Sequence, residues 1–292
     1  MRAIRHTILA AILAGGFSNL ANAATWAVGP QYDTTHVYVA ATDFNRFVAS
    51  LTATFGGTTS KQGVFQVTPT PSQTMSQLAL TPAGTISVFG FKTPIPAPFG
   101  SERTGYLVTN LDAATKAAQS AGASVIVAPF PDPIGRDAVV QWPGGVNMQL
   151  YWHTTPPNYA PLGTIPENRI YIAPDRVDAF IRDFLAFATG QTVSDDKAAP
   201  GAEIGKPGET YRRVRLETPF GKLMLIGSDG HLPFPYGHEL TGYAVPDLDA
   251  TLAKAQKASV RVLVSPQSAN GRTSAMVQFP GGYIAEIHAE QK

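Results

Sequence analysis

Apolar and polar positions along this chain change period repeatedly between two and 3.6 residues, and the changes recur in one order. The stretch His36–Ala41 alternates like a strand. Asp43–Phe55 then places Phe44, Phe47, Val48 and Leu51 at helical spacing and stops at Gly56-Gly57. The same strand and helix return as Asn168–Ala173 and Asp175–Ala188, ending at Gly190. A second strand–helix pair also occurs twice: Gly105–Val108 with the helix Asp112–Ala121, and Gly242–Val245 with the helix Asp249–Ala258. β-branched strands follow at Ser124–Ala128 and Val260–Val264. Four hairpins carry Pro and Gly at their turns, namely Pro82–Gly84, Pro143–Gly145, Pro219–Gly221 and Pro280–Gly282. The pattern predicts four units, each a strand, a helix and then about three strands.

The halves are copies of one another. The segment PAPFGSERTGY from Pro96 returns as PFPYGHELTGY from Pro233. At that same offset Leu111-Asp112-Ala113 matches Leu248-Asp249-Ala250, and Gln141-Trp-Pro-Gly-Gly145 matches Gln278-Phe-Pro-Gly-Gly282. The four units therefore group into two α+β domains, about residues 30–155 and 165–290. Between them Thr154–Glu167 carries four prolines and no periodicity, which reads as an extended linker. A second irregular stretch, Ser194–Glu209, reads as a surface loop or lid inside the third unit.

Composition narrows the function classes. A net charge of +1 with 15% charged residues gives no basic or acidic surface for nucleic acid. The chain has no cysteine, which excludes disulfides, thiolate ligands and a cysteine nucleophile. At the start, Arg2 and Arg5, the apolar run Thr7–Phe17 and Ala21-Asn22-Ala23 have the order of a secretory signal peptide cleaved before Ala24. Residues 1–23 are expected to be removed, leaving a periplasmic or secreted protein with no membrane anchor; the oligomeric state is left open.

The βαβββ unit used four times, with GYLVTNLDAATKAAQSAGASVIVAP and GYAVPDLDATLAKAQKASVRVLVSP as its clearest copies, resembles the vicinal oxygen chelate (VOC) superfamily. That superfamily includes glyoxalase I, extradiol dioxygenases and drug-resistance proteins. The resemblance covers about His36–His288 and implies a fold of four βαβββ modules in two tandem glyoxalase-like domains. Paired modules then curl into an open cup that binds a small molecule on its concave face. Fold alone does not assign an activity on such a scaffold.

Metal-dependent members carry a histidine on a module's first strand and a glutamate on its last. By counting along the repeat, the first-strand positions fall on His36, Arg103, Asn168 and Leu240, and the last-strand positions on Val88, Gln149, Leu225 and Glu286. Two of these are good ligands, His36 and Glu286. With His238 or His288 they would make a two-histidine, one-carboxylate set if the first and fourth modules share a cup. Arg103, Tyr106, Gln149 and Tyr243 are the candidate substrate-binding residues. The equivalent Glu102 and Glu239 read as charges fixing a linker through backbone hydrogen bonds, and Arg136 and Arg272 as solvated hairpin arginines.

Two functional readings follow. One is an exported binding protein that holds a small molecule in its cups without a complete metal site. The other is a lyase, isomerase or extradiol dioxygenase that uses a divalent metal (Fe, Mn, Ni or Zn), with Glu286 as catalytic ligand or proton shuttle.

Overall fold

The computed structural model describes Trp26 and residues 31–291. The expected signal peptide lies outside the described residues. Among those residues, no helix is long and apolar enough to cross a membrane.

The first module runs β1 (Thr35–Tyr38), α1 (Phe44–Phe55), the short strands β2 (Thr58–Thr59) and β3 (Gly63–Phe65), then β4 (Thr74–Thr81) and β5 (Gly84–Phe91). The second is β6 (Thr104–Leu107), α2 (Leu111–Ser120), β7 (Ser124–Pro131), β8 (Gly135–Trp142) and β9 (Val146–His153). The third is β10 (Glu167–Ile172), α3 (Val177–Ala188), β11 (Gln191–Pro200), β12 (Thr210–Thr218) and β13 (Gly221–Gly227). The fourth is β14 (Glu239–Ala244), α4 (Leu248–Lys257), β15 (Arg261–Ala269), β16 (Arg272–Gln278) and β17 (Ile284–Glu290). The chain is thus α+β, with βαβββ modules as the repeat predicts.

Helix entry in the second and fourth modules follows from one residue each. Asn110 and Asp247 are extended, and each side chain accepts a hydrogen bond from the backbone N–H three residues on, at Ala113 and Ala250. This cap starts each helix at the leucine of the repeated Leu-Asp-Ala.

Modules pair within each half. One sheet has the order β2-β4-β5-β1-β6-β9-β8-β7, with β3 added on β4, and the other the order β11-β12-β13-β10-β14-β17-β16-β15. The seams are the antiparallel contacts of β1 with β6 and of β10 with β14.

The convex faces of the two sheets share their cores. Phe44, Phe47 and Leu51 of α1 pack with Leu248 and Leu252 of α4, between Val37, Ile86 and Val88 of one sheet and Ala285 and Ile287 of the other. Leu111 and Ala114 of α2 meet Phe180 and Phe184 of α3 in the same way, around Trp142. The repeated Pro-Gly-Gly turns seal this join. A Cβ on Gly144 (φ +89°) would come 3.0 Å from Ile172, and one on Gly281 (φ +86°) 3.1 Å from Val39, each in the other half's first module strand or its end.

The stretch Ser194–Glu209 differs from its expected form. Its first part belongs to β11, which pairs with β12 through backbone bonds and bulges twice; most of its side chains are exposed, while Ala199 is buried. Gly201–Ile204 then makes a short 3₁₀ turn that buries Glu203 and Ile204. The segment is an edge strand followed by a plug.

Candidate functional site

Alternation along β1 sends Val37 and Val39 into the shared core, and His36 and Tyr38 to the concave side. In β9 Met148 and Leu150 go to the core, leaving Gln149, Tyr151 and His153 in the cup. Together with Asp33, Ser87, Phe89 and Asp137 these residues line a cavity of about 100 Å³.

This first cup is filled mostly by its own polar side chains. Asp33 accepts hydrogen bonds from Ser87 Oγ (2.7 Å), Tyr159 Oη (3.0 Å) and Tyr151 Oη (3.2 Å). Burial still pushes its pKa up, against those bonds. Burial also raises Asp137 well above the carboxylate range, with Asp132 adding to it. Glu102 accepts a short hydrogen bond from Tyr38 and is pushed up to about 7 by burial. His36 goes the other way: burial and then Arg103 lower it to about 4, so the ring is neutral at pH 7. The Arg103 guanidinium stands 5.6 Å from the Tyr38 ring centroid.

The second cup is built on charge. On β10, Ile170 and Ile172 enter the shared core, which leaves Glu167, Arg169 and Tyr171 on the concave side. Arg169, fully buried, places Nη1 3.4 Å from both Glu167 Oε1 and Glu286 Oε1. Arg272 bonds both oxygens of Glu167, at 3.0 and 3.2 Å. His288 Nδ1 lies 2.7 Å from Glu286 Oε2. The carboxylate only accepts, so this nitrogen carries the proton. Burial alone would raise Glu286, but Arg169, His288 and Arg272 outweigh it and hold its pKa at about 2. At the other end Arg213 and Tyr211 both contact Glu203, delivered by the 3₁₀ plug.

Two equivalent glycines make room for these groups. A Cβ on Gly105 would lie 2.6 Å from the His36 ring, and one on Gly242 2.8 Å from Glu286 Oε2. The Gly-Tyr pair of the repeat therefore keeps the floor of each cup open.

The expected site residues are distributed as follows. His36, Arg103 and Gln149 share the first cup; Glu286 and His288 share the second. His36 and Glu286 are not brought together, because modules pair within halves. Val37 beside His36 and Ala285 and Ile287 beside Glu286 enter one shared core, so the two side chains point away from it in opposite directions. His238 is exposed at the join, with its ring near Gly145. Tyr106 and Tyr243 are not cup residues. Both lie on the convex faces, Tyr106 against Phe220 and Tyr243 hydrogen-bonded to Tyr283 Oη at 2.9 Å. Three counted positions fall one residue out of phase: Val88 and Leu225 are core residues, and Asn168 turns its amide to Glu239 on the same side. The concave partners on the first strands are His36 and Arg169.

Glu239 does accept a backbone hydrogen bond, from Arg103 N–H (2.9 Å), while Arg136 is exposed and pairs with Asp112. Arg272, expected in solvent, is 5% exposed and ion-paired. Glu167, Arg169, Arg213 and Arg215 are charged cup positions that sequence reasoning misses. Their signal is a charge repeated at period two inside otherwise apolar strands, which marks a polar concave face.

The donor sets do not suit a divalent metal. The first cup offers His36, His153, Asp33, Asp137 and neutral Gln149, but Asp33 is held by Ser87, Tyr151 and Tyr159, and burial favours the protonated form of both aspartates. The second offers Glu286 and His288 around the buried Arg169, with Glu167 held by Arg272. Among the described residues no group of three or more His, Asp or Glu is placed to hold an ion.

No protein-family model matches the chain, and no curated protein matches it in sequence. Solved structures do. A mutant of 4-hydroxymandelate synthase from Streptomyces coelicolor superposes with a TM-score of 0.59 at 13% identity, covering 89% of this chain and 93% of that one. The 2,3-dioxygenase LapB from Pseudomonas sp. KL28 gives 0.57 at 10% identity, over 92% and 94%. A Mn(II)-bound glyoxalase from Novosphingobium aromaticivorans gives 0.53 at 12% identity, over 90% and 82%. The fold is that of the vicinal oxygen chelate proteins. Two tandem VOC domains account for the internal repeat, and at these identities the likeness establishes the scaffold alone.

Proposed function

We propose that this VOC-fold chain is an exported protein that binds a small molecule in a cup and does so without a catalytic metal. The observation that carries this reading is the ion pair at the centre of the second cup. Arg169 occupies the first-strand position and Glu286 the last-strand position, so a guanidinium already neutralises the carboxylate that a metal would need. In the first cup the Arg103 guanidinium is the nearby positive charge, and it helps to depress His36. A divalent ion beside either arginine would meet a fixed positive charge a few ångströms away, at a cost that two ligands do not offset. The metal-dependent lyase or dioxygenase reading relied on His36 and Glu286 acting jointly, and their placement in separate cups removes its basis.

The larger cavity of the second cup, about 580 Å³, is within the range of small-molecule sites. The test is elemental analysis after incubation with Fe(II), Mn(II), Ni(II) or Zn(II) and gel filtration, alongside native mass spectrometry for co-purifying small molecules. Substoichiometric metal and a bound organic species are expected. One ion per chain that disappears in Glu286→Ala would overturn the metal-free reading. Mass spectrometry of the mature N-terminus is expected to begin at Ala24, and an intact Met1 would remove export.

A further inference from the structure

Four arginines and four acids make up the charges of the second cup, but the ion pairs leave one arginine out, and that one faces the cavity. Arg169 pairs with Glu167 and Glu286, Arg272 with Glu167 and Glu286, and Arg213 with Glu203 and Asp196. The fourth arginine on the concave side, Arg215, has no ion pair among the described residues. Its Nε and Nη2 are both buried without a hydrogen-bond partner. Arg272 likewise leaves Nε unpartnered while its two Nη atoms hold Glu167. A buried donor without an acceptor is costly, and two neighbouring guanidinium groups with spare donors make the cost larger. Burial and the nearby Arg272 depress the Arg215 pKa, which is the electrostatic consequence of that crowding.

Arg215, Arg272 and His288 line the 580 Å³ cavity together with apolar side chains. Leu162 and Ile165 of the linker supply part of that apolar lining with Val193, which is 52% exposed on the edge strand β11. Glu217, Lys222 and Glu290 also border the cavity, and all three are on the exposed rim. Inside it, Glu167 is already claimed by Arg272 and Arg169, and Glu286 by Arg169 and His288. Inside the rim, Arg215 is therefore the charged side chain without an ion pair among the described residues.

We infer that this cavity is a site for an organic monocarboxylate with an apolar or aromatic body, its carboxylate received by Arg215 and Arg272. Planar guanidinium donors match a carboxylate's two oxygens, and the apolar linker wall takes the remainder of the ligand. His288, its Nδ1 held by Glu286, presents its ring to the same space and orients a polar substituent. This deepens the proposed function, resting on the small-molecule reading, and places the ligand at the end of the cup away from the 3₁₀ plug.

The test is calorimetric titration of the full chain with 3-phenylpropanoate, with its neutral amide 3-phenylpropanamide, and with inorganic phosphate. The acid is expected to bind at least about tenfold more tightly than the amide, as loss of a charge-assisted bidentate contact implies. Phosphate, lacking the apolar body, is expected to bind more weakly than the acid. Arg215→Met should reduce acid binding about tenfold or more and leave amide binding unchanged. Because Arg215 supports no ion pair, that variant should keep the wild-type circular dichroism spectrum and melting temperature. Arg215→Lys should recover only part of the affinity. Equal binding of acid and amide, or an unchanged Arg215→Met titration, would overturn the carboxylate site while the small-molecule reading stands. No binding of any of the three would also overturn it, and native mass spectrometry then decides the broader reading separately.

Discussion

Arg169 shows how a single side chain sets the charge arrangement of a cup. It lies at the position equivalent to His36, is fully buried, and is bracketed by Glu167 and Glu286. Replacing it with Met leaves two buried carboxylates facing one another, with only Arg272 and His288 to share. Breaking a buried ion pair from one side typically costs about 3–5 kcal/mol, so urea unfolding of Arg169→Met should show a loss of that order. A loss below about 1 kcal/mol, the scale of an exposed pair, would mean that Arg272 alone can neutralise both glutamates. Gly242 gives a finer probe of the same site. A Cβ there meets Glu286 Oε2 at 2.8 Å and Arg169 Cδ at 3.3 Å, so Gly242→Ala must displace the ion pair. Overpacking of this kind costs about 1–3 kcal/mol. The equivalent Gly105→Ala meets the His36 ring, which has no ion pair to lose, and should cost less in the same assay.

At the scale of elements, buried glutamates titrate in opposite senses according to whether burial or ion pairing dominates. Glu102, just before β6, and Glu239, at the start of β14 where the halves meet, are pushed up to about 7 from an ordinary 4.5, chiefly by burial. A raised folded-state pKa contributes stability that is complete below pH 4.5 and lost as pH rises through 7. In the second sheet Glu286 is held at about 2, so its contribution is complete above pH 4.5 and lost as pH falls toward 2. Glu102→Gln can still accept from Tyr38 without ever ionising. It should therefore raise the melting temperature at pH 8 and leave it nearly unchanged at pH 4. Glu286→Gln should lower it at pH 7 and flatten its decline between pH 4.5 and 2. Differential scanning calorimetry across that range separates the signs, and a fall in Glu102→Gln stability at pH 8 would contradict the burial argument.

Elements also divide what is legible in the sequence from what is not. Helix starts, Pro-Gly turns and the repeat that carries Pro96 onto Pro233 are local signals, fixed by capping, positive φ and period. The concave faces of β9 and β17 are legible because Asn147, Gln149, Glu286 and His288 alternate with apolar residues. Tyr106 and Tyr243 mislead because a tyrosine suits either face of a strand, and its phase depends on a neighbour that is Thr or Gly. Arg272 misleads because a hairpin arginine is ordinarily solvated. Its burial depends on Glu167, which is 105 residues away and invisible to periodicity. Pairing of modules within halves is likewise a property of the seams β1–β6 and β10–β14, while the long-range bond from Arg103 to Glu239, which also holds Asn168, joins the two halves.

For the whole molecule, the shared convex cores make the two halves one folding unit despite their separate sheets. Phe44, Phe47, Phe180 and Phe184 are each buried by contacts that include the opposite half, and the linker serves both cups. Its Tyr159 bonds Asp33 in the first, and its Leu162 and Ile165 wall the cavity of the second. A half expressed alone would present one apolar helical layer to water, far more contiguous apolar surface than soluble monomers tolerate. Residues 24–157 and 158–292 expressed separately are therefore expected to aggregate, or to bind a hydrophobic dye without a cooperative melt. Co-expressed, they should purify as a one-to-one complex that melts in a single transition. A single half that is monomeric and unfolds cooperatively would show that the helical layers are an ordinary domain interface rather than a common core. The distinction bears on function, because with a common core and a shared linker a ligand that orders Leu162–Ile165 in the second cup must also act on Tyr159 and Asp33 in the first. Binding of 3-phenylpropanoate should then slow amide exchange around Asp33 as well as around Arg215. Protection confined to the second sheet would mean that the linker does not couple the cups.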